Sequence, residues 1–184
     1  MQIRYTNAQH TNHLLGILRL QQANLPQVLN EQEIKSQGFV TVEHDLPLLQ
    51  RMNQPIGHTI ALFGDQVVGY ALTMMSTLRA DIPILMPMFE KIDRIKMGES
   101  LLRDLPYVVM GQVCVDKAHR GQGIFDGLYL QMQKVMKGHF EYIITEVATR
   151  NTRSMRAHER VGFTTELIYT ADNEEEWAII ALKV

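Results

Sequence analysis

Residues 107–115, YVVMGQVCV, form a nearly continuous apolar run. A strand solvated on one face alternates apolar and polar residues; a strand covered on both faces has no need to. The run therefore predicts a central strand buried on both sides. The next stretch is equally directive: HRGQGIFDG at 119–127 places two glycines and an arginine between this strand and an amphipathic segment. In that segment Ile124, Phe125, Leu128, Met132, Val135 and Met136 recur at helical spacing up to Gly138. The order is strand, glycine turn, helix.

The remaining chain builds a sheet around this unit. IRYT at 3–6 reads as a first strand, and YIITEV at 142–147 as a second buried one. Runs at 58–63 and 66–75 flank Gly64-Asp65 as a hairpin. Two last strands, about 163–170 and 176–183, are separated by the acidic turn ADNEEE. Helices are expected from Asn7 as a cap to Leu25, from Pro26 to about Ser36 with Gly38 as terminator, and after Asp45 through Leu48, Leu49 and Met52. A further helix is expected at 88–96, inside a long excursion at 78–106, and another from the cap Asn151 to about Val161, closed by Gly162. The fold class is α+β: a mostly antiparallel sheet of about seven strands with helices on both faces.

Length and composition fit one domain, 1–184, with 46% hydrophobic residues. A net charge of −2 offers no footprint for nucleic acid or an anionic membrane surface. The single cysteine, Cys114, forms no internal disulfide, and neither a signal-peptide core nor a membrane span is visible, so a cytoplasmic protein is expected. The seven histidines lack paired ligand spacing, His10 and His13 coming closest, so no metal is expected.

At the mouth of a helix the first N–H groups and the positive end of the dipole favour an anion, and glycines let a phosphate reach the main chain. Arg120 adds a fork of donors; the plainer alternative is a tight turn with a solvated arginine. Neither GxxxxGK[ST] nor the third glycine of a dinucleotide fingerprint is present. A second motif, NTRSMRAHERVGF at 151–163, follows after the remainder of that helix and the strand at 142–147.

Together the two stretches resemble the GNAT superfamily of acyl-CoA-dependent N-acyltransferases. Arg120-Gly121-Gln122-Gly123-Ile124-Phe125 follows the family's [Q/R]-x-x-G-x-[G/A] except at Phe125. Asn151, Ser154, His158, Gly162 and Phe163 fall on N-x-x-[A/S]-x-x-x-[Y/H]-x-x-x-G-F, and VDKAHRG resembles V-x-P-x-x-R-G with Lys117 in place of proline. The resemblance implies that the strands at 107–115 and 142–147 splay apart. It implies pantetheine along Val113, Cys114 and Val115, and pyrophosphate on the main chain of Gly121 to Phe125, with Arg120 and Gln122 beside it. It also implies acetyl-CoA as co-substrate and cofactor contacts from the segment carrying Asn151 and Ser154. His158 stands where the family most often has the tyrosine proposed to protonate departing CoA; an imidazolium near ~6.5 can donate to a thiolate near ~8.5. A helix histidine with a structural role is the plainer alternative.

Glu146, at the end of its strand, is the candidate base for an ammonium substrate; pairing with Arg150 or Arg153 is the competing reading. Cys114 lacks a positioned His/Asp partner and reads as a small strand residue. Arg150, Arg153, Arg156 and Arg160 form a basic stripe, either solvated or reaching a CoA 3′-phosphate or an acidic substrate through Arg153 or Arg156. An acceptor pocket is expected from 25–36 and 78–106, with Phe89 and Tyr107 nearby and Asp81, Glu90 and Asp93 as ammonium partners. Two functions compete, an N-acetyltransferase moving acetyl directly from acetyl-CoA to a primary amine of a small molecule or peptide and a non-catalytic acyl-CoA-binding or sensing domain, with a phosphate-binding regulatory domain for another nucleotide as a remoter third. Self-association into a homodimer is left open.

Overall fold

The structure is a computed structural model and describes residues 2–25, 27–28, 40 and 42–184. Apart from residues 27 and 28, the helix expected from Pro26 to Ser36, and its terminator Gly38, lie outside these residues. Seven strands form one mixed sheet: β1 (Ile3–Asn7), β2 (Thr59–Phe63), β3 (Gln66–Met74), β6 (Tyr107–Val115), β7 (Tyr142–Ala148), β8 (Thr164–Thr170) and β9 (Glu176–Lys183). Their order across the sheet is β1-β2-β3-β6-β7-β9-β8. All described pairs are antiparallel except β6 with β7, which is parallel. The α+β class read from the pattern is the observed one. By its contacts the chain divides into two units, Met1–Thr73 with Gly111–Val135, and Met74–Met110 with Met136–Val184.

The first unit holds β1 to β3, the end of β6, α1 (Thr11–Gln22), α2 (Leu46–Met52) and most of α4 (Ile124–Met136). Helix α1 begins after His10, not at Asn7. Pairing of Asn7 with Thr59 carries β1 one residue further, and the Asn7 amide donates to the Gly57 carbonyl at 2.6 Å. Asp45 caps α2 as expected, accepting from the Leu48 N–H at 2.8 Å. A register shift between Ala61 and Leu62 puts Gly69 and Val67 on opposite faces of the sheet. Helix α4 covers the Gly69 face: a Cβ on Gly69 would meet Ile124 at 2.9 Å, and one on Gly127 would strike the Tyr5 ring at 2.1 Å. Helix α1 covers the Val67 face, with Gly16 against the Val67 side chain. Missing side chains thus set how closely both helices approach the sheet.

The second unit holds the rest of β6, β7 to β9, α3 (Met86–Ile92), α5 (Thr152–Arg160) and a small ribbon of β4 (Lys96–Met97) and β5 (Ser100–Leu101). The expected helix at 88–96 starts earlier and ends at Ile92, because Lys96–Met97 pairs back onto Ser100–Leu101 around Gly98. Within the excursion, Arg79 grips both oxygens of Asp93 at 2.8 and 3.2 Å, donates to the Tyr107 hydroxyl at 3.3 Å and lies over Phe89.

The central strand departs from the uniform burial its composition suggests. Tyr107 to Met110 are buried, but beyond them burial alternates, with Gln112 and Cys114 buried and Gly111, Val113 and Val115 half-buried. The change coincides with the end of the β6–β7 ladder. Pairing covers only Tyr107–Tyr142, Val108–Ile143 and Val109–Ile144, although β6 runs on to Val115 and β7 to Ala148.

Candidate functional site

In the first unit the cradle is built from the end of β6 outward. The Asp116 N–H donates to the Val68 carbonyl at 2.8 Å, fastening the strand to β3. Backbone groups alternate along a strand, so those of Val113 and Val115 point away from β3. The Asp116 carboxylate accepts from the Ala118 N–H at 2.8 Å and lies 3.2 Å from His119 Nδ1, which sets the turn. Gly121 and Gly123 then adopt φ of 76° and 73°, the left-handed region that side chains rarely enter, and a Cβ on either would meet nothing within 4 Å. The first bond of α4 runs from the Gly127 N–H to the Gly123 carbonyl at 3.0 Å. The N–H groups of Gly123 and Ile124 therefore precede the helical ladder, at the positive end of the dipole. Open space over two glycines at a helix mouth suits an anion.

Three side chains of the motif have defined places around this turn. Arg120 turns toward the protein: Nε donates to the Val115 carbonyl at 3.1 Å and Nη2 to Asn24 Oδ1 at 2.8 Å. Gln122 is exposed and reaches only back to the Ala118 carbonyl, at 3.5 Å. Phe125, where the motif has Gly or Ala, packs its ring on buried Tyr129 with centroids 5.0 Å apart. On β6, burial pushes the Cys114 thiol up to about 12, so at neutral pH it is a protonated strand residue beside Tyr70. The Tyr70 hydroxyl donates to Gln112 Oε1, whose amide donates to the Val42 carbonyl at 2.7 Å.

In the second unit the outstanding group is Glu146. Burial raises its carboxyl to about 6, against a smaller lowering by a hydrogen bond from the Tyr169 hydroxyl to Oε1. Of the two arginines offered as its partner, Arg150 bonds both oxygens of Glu175 through Nε at 2.8 Å. The register explains how Tyr169 arrives. Glu146 is paired with Ile179 and Tyr169 with Trp177, and residues two apart share a face, so all four side chains stand on one side of the sheet. Tyr169 reaches Glu146 across β9, and Lys91 of α3 lies 5.5 Å over its ring. Neither Tyr169 nor Lys91 was visible in the sequence as a site residue. No motif joins positions 23 residues apart across a strand that comes later in the chain; only the order β7-β9-β8 does.

His158 lies on the other face. Gly162, just past α5, approaches the Leu182 side chain, and Leu182 pairs with Ile143, which points opposite to Glu146. The imidazole is 1% exposed, sits edge-on to Phe163 at 5.1 Å, and its Nδ1–H donates to the Ser154 carbonyl at 2.8 Å. Burial pulls its pKa down to about 4, so the species at neutral pH is neutral imidazole, not the imidazolium invoked from the sequence. Asn151 caps α5, accepting from the Ser154 N–H at 3.2 Å, and Ser154 Oγ lies 3.3 Å from His158 Nδ1. Arg153 and Arg156 are exposed.

Of the expected ammonium partners, Asp93 is taken by Arg79, whose guanidinium also binds Tyr107, while Asp81 and Glu90 are exposed. The part of the acceptor pocket expected at 25–36 lies mostly outside the described residues. Among the described residues no three His, Cys, Asp or Glu side chains gather as a metal site, and no helix is long and apolar enough to cross a membrane.

The model of the Acetyltransferase (GNAT) family matches residues 26–163. No curated protein matches the sequence. Among solved structures, the fold is similar to that of Arabidopsis thaliana NAA60 in complex with acetyl-CoA, with a TM-score of 0.68 and 12% identity over 100% of both chains. It is similar to the ribosomal-protein-S18-alanine N-acetyltransferase of Escherichia coli, with a TM-score of 0.63 and 14% identity over 100% of this chain and 94% of that one. The same values hold for yncA of Salmonella typhimurium, a putative acetyltransferase with its cofactor acetyl-CoA.

Proposed function

The chain belongs to the GNAT acetyltransferase family, and on that premise we propose that it moves an acetyl group directly from acetyl-CoA to a primary amine of a small molecule or peptide. The main chain of Gly121 to Phe125 takes the pyrophosphate, and the outward backbone groups of Val113 and Val115, on either side of Cys114, take the pantetheine amides. Arg120 acts by fixing the loop to Val115 and Asn24. In the transfer the amine nitrogen bonds to the thioester carbonyl carbon, the carbon–sulfur bond breaks, and the sulfur leaves with the electron pair. The proton lost by nitrogen goes to Glu146, whose pKa of about 6 leaves it mostly ionised at pH ~7.5 yet close enough to neutrality to exchange. Neutral His158 packs α5 against Phe163, with Asn151 and Ser154 capping that helix. The acetyl-CoA complexes among the similar structures support the donor, and the S18-alanine enzyme supports a peptide or protein amine as one acceptor class.

The observation that carries this reading is the opening over Gly121 and Gly123. Acetyl-CoA at a hundred times its Kd stabilises a protein that binds it only when folded by about 2.7 kcal/mol, visible as a higher Tm. Gly123→Ala, which strains the left-handed residue by about 1–2 kcal/mol and fills the space above it, removes that rise. A panel of amines with thiol detection then reads turnover. No Tm rise with acetyl-CoA, or no amine-dependent thiol release, defeats the proposal.

A further inference from the structure

We infer that Tyr169 is the positioning residue of the base: its hydroxyl, delivered across β9, holds the Glu146 carboxylate in one orientation and leaves Oε2 to receive the proton from the amine. The inference rests on the reading of Glu146 as that base and adds to it a residue that neither family motif contains. Three observations meet here. The bond is between strands that are not neighbours, so it depends on the sheet register and not on local sequence. The hydroxyl donates to Oε1 only, and a carboxylate with one oxygen engaged keeps the other for a second proton donor. The tyrosine is itself held, paired with Trp177 of β9 and with the Lys91 ammonium over its ring.

Among the described residues, few groups face Glu146 and bear on its titration. From β8 there is Tyr169, and from α3 there is Lys91, set over that ring. From β9 there are Ile179 and Trp177, neither of which titrates. Burial raises the carboxyl and the tyrosine bond lowers it. Removing the hydroxyl leaves burial unopposed and lets the carboxylate turn.

The test is a pH profile of kcat/KM for an accepted amine, measured with wild type, Tyr169→Phe and Glu146→Gln, with Tm and the KM for acetyl-CoA recorded for each. In Tyr169→Phe the acidic limb is expected to move up by about one pH unit, since a hydrogen bond to a charged group is of that size. Its acetyl-CoA KM is expected to stay near wild type and its Tm to fall by no more than the few degrees that a one-unit shift implies, whereas a purely structural tyrosine would lower Tm without moving the limb. A Tyr169→Phe profile that superimposes on wild type, with Glu146→Gln inactive, overturns the inference and leaves Glu146 as base. A Glu146→Gln enzyme as active as wild type overturns the reading beneath it.

Discussion

The two faces of the β7–β9–β8 sheet carry one titratable candidate each, and the same physical effect treats them differently. Glu146 stands on the face that also bears Tyr169, and His158 on the face covered by α5. Burial disfavours charge on both, raising the carboxyl to about 6 and lowering the imidazole to about 4. For the acid this brings the pKa toward neutrality; for the histidine it carries it away. Desolvation thus makes a proton acceptor usable at pH ~7 out of one group and a fixed neutral donor out of the other. Residue type reveals the sign of the shift, since burial disfavours whichever charged form the group has, but not its size, which depends on how much water is excluded.

The largest effect expected from this contrast is on stability toward acid. His44, His58 and His158 are each held near 4 by burial, below the ordinary 6.5, so between those values the unfolded chain binds up to three more protons than the native one. Stability present above pH 6.5 is therefore lost as pH falls through 6.5 toward 4. Glu146 opposes this: held near 6 against its ordinary 4.5, it binds its proton first in the native state and offsets one of the three between those values. The net of two protons gives a slope of about 2.7 kcal/mol per pH unit near pH 5, which denaturant titrations at several pH values measure. In Glu146→Gln the slope steepens by one proton; a slope unchanged by this substitution contradicts the shift assigned to Glu146.

The same variant tests the chemistry. Glu146→Gln is expected to lower kcat/KM by about 10²–10⁴-fold with little change in acetyl-CoA binding, the usual range for removing a general base. His158→Ala is the counterpart on the other face. Its expected effect is a loss of about 2–4 kcal/mol of stability by cavity formation, with kcat per folded molecule within a few-fold of wild type. If kcat collapses while the fold persists and chemistry limits the rate, neutral His158 does deliver a proton to the departing sulfur. Smallest is Arg150→Ala: its pair with Glu175 is charge-matched, but the Arg150 side chain is 61% exposed, so urea denaturation is expected to detect under about 1 kcal/mol.

Much of this protein was readable from its linear order. The apolar run at 107–115, the hairpin about Gly64-Asp65, the caps Asp45 and Asn151 and the glycine turn at 121–123 are local signals, each acting within a few residues, and each lies where its chemistry puts it. What escaped the sequence is what depends on neighbours distant along the chain. The burial of β6 changes character at Gly111, close to where its ladder to β7 stops at Val109. Arg120 faces Asn24 across 96 positions, and Asp93 is claimed by Arg79 before any substrate could use it. The identity of the groups around Glu146 came from strand order and register alone, and its pKa from the water excluded there. Local conformation follows from propensities and caps that a short stretch contains; the partner and protonation state of a side chain follow from what packs against it, which no short stretch contains.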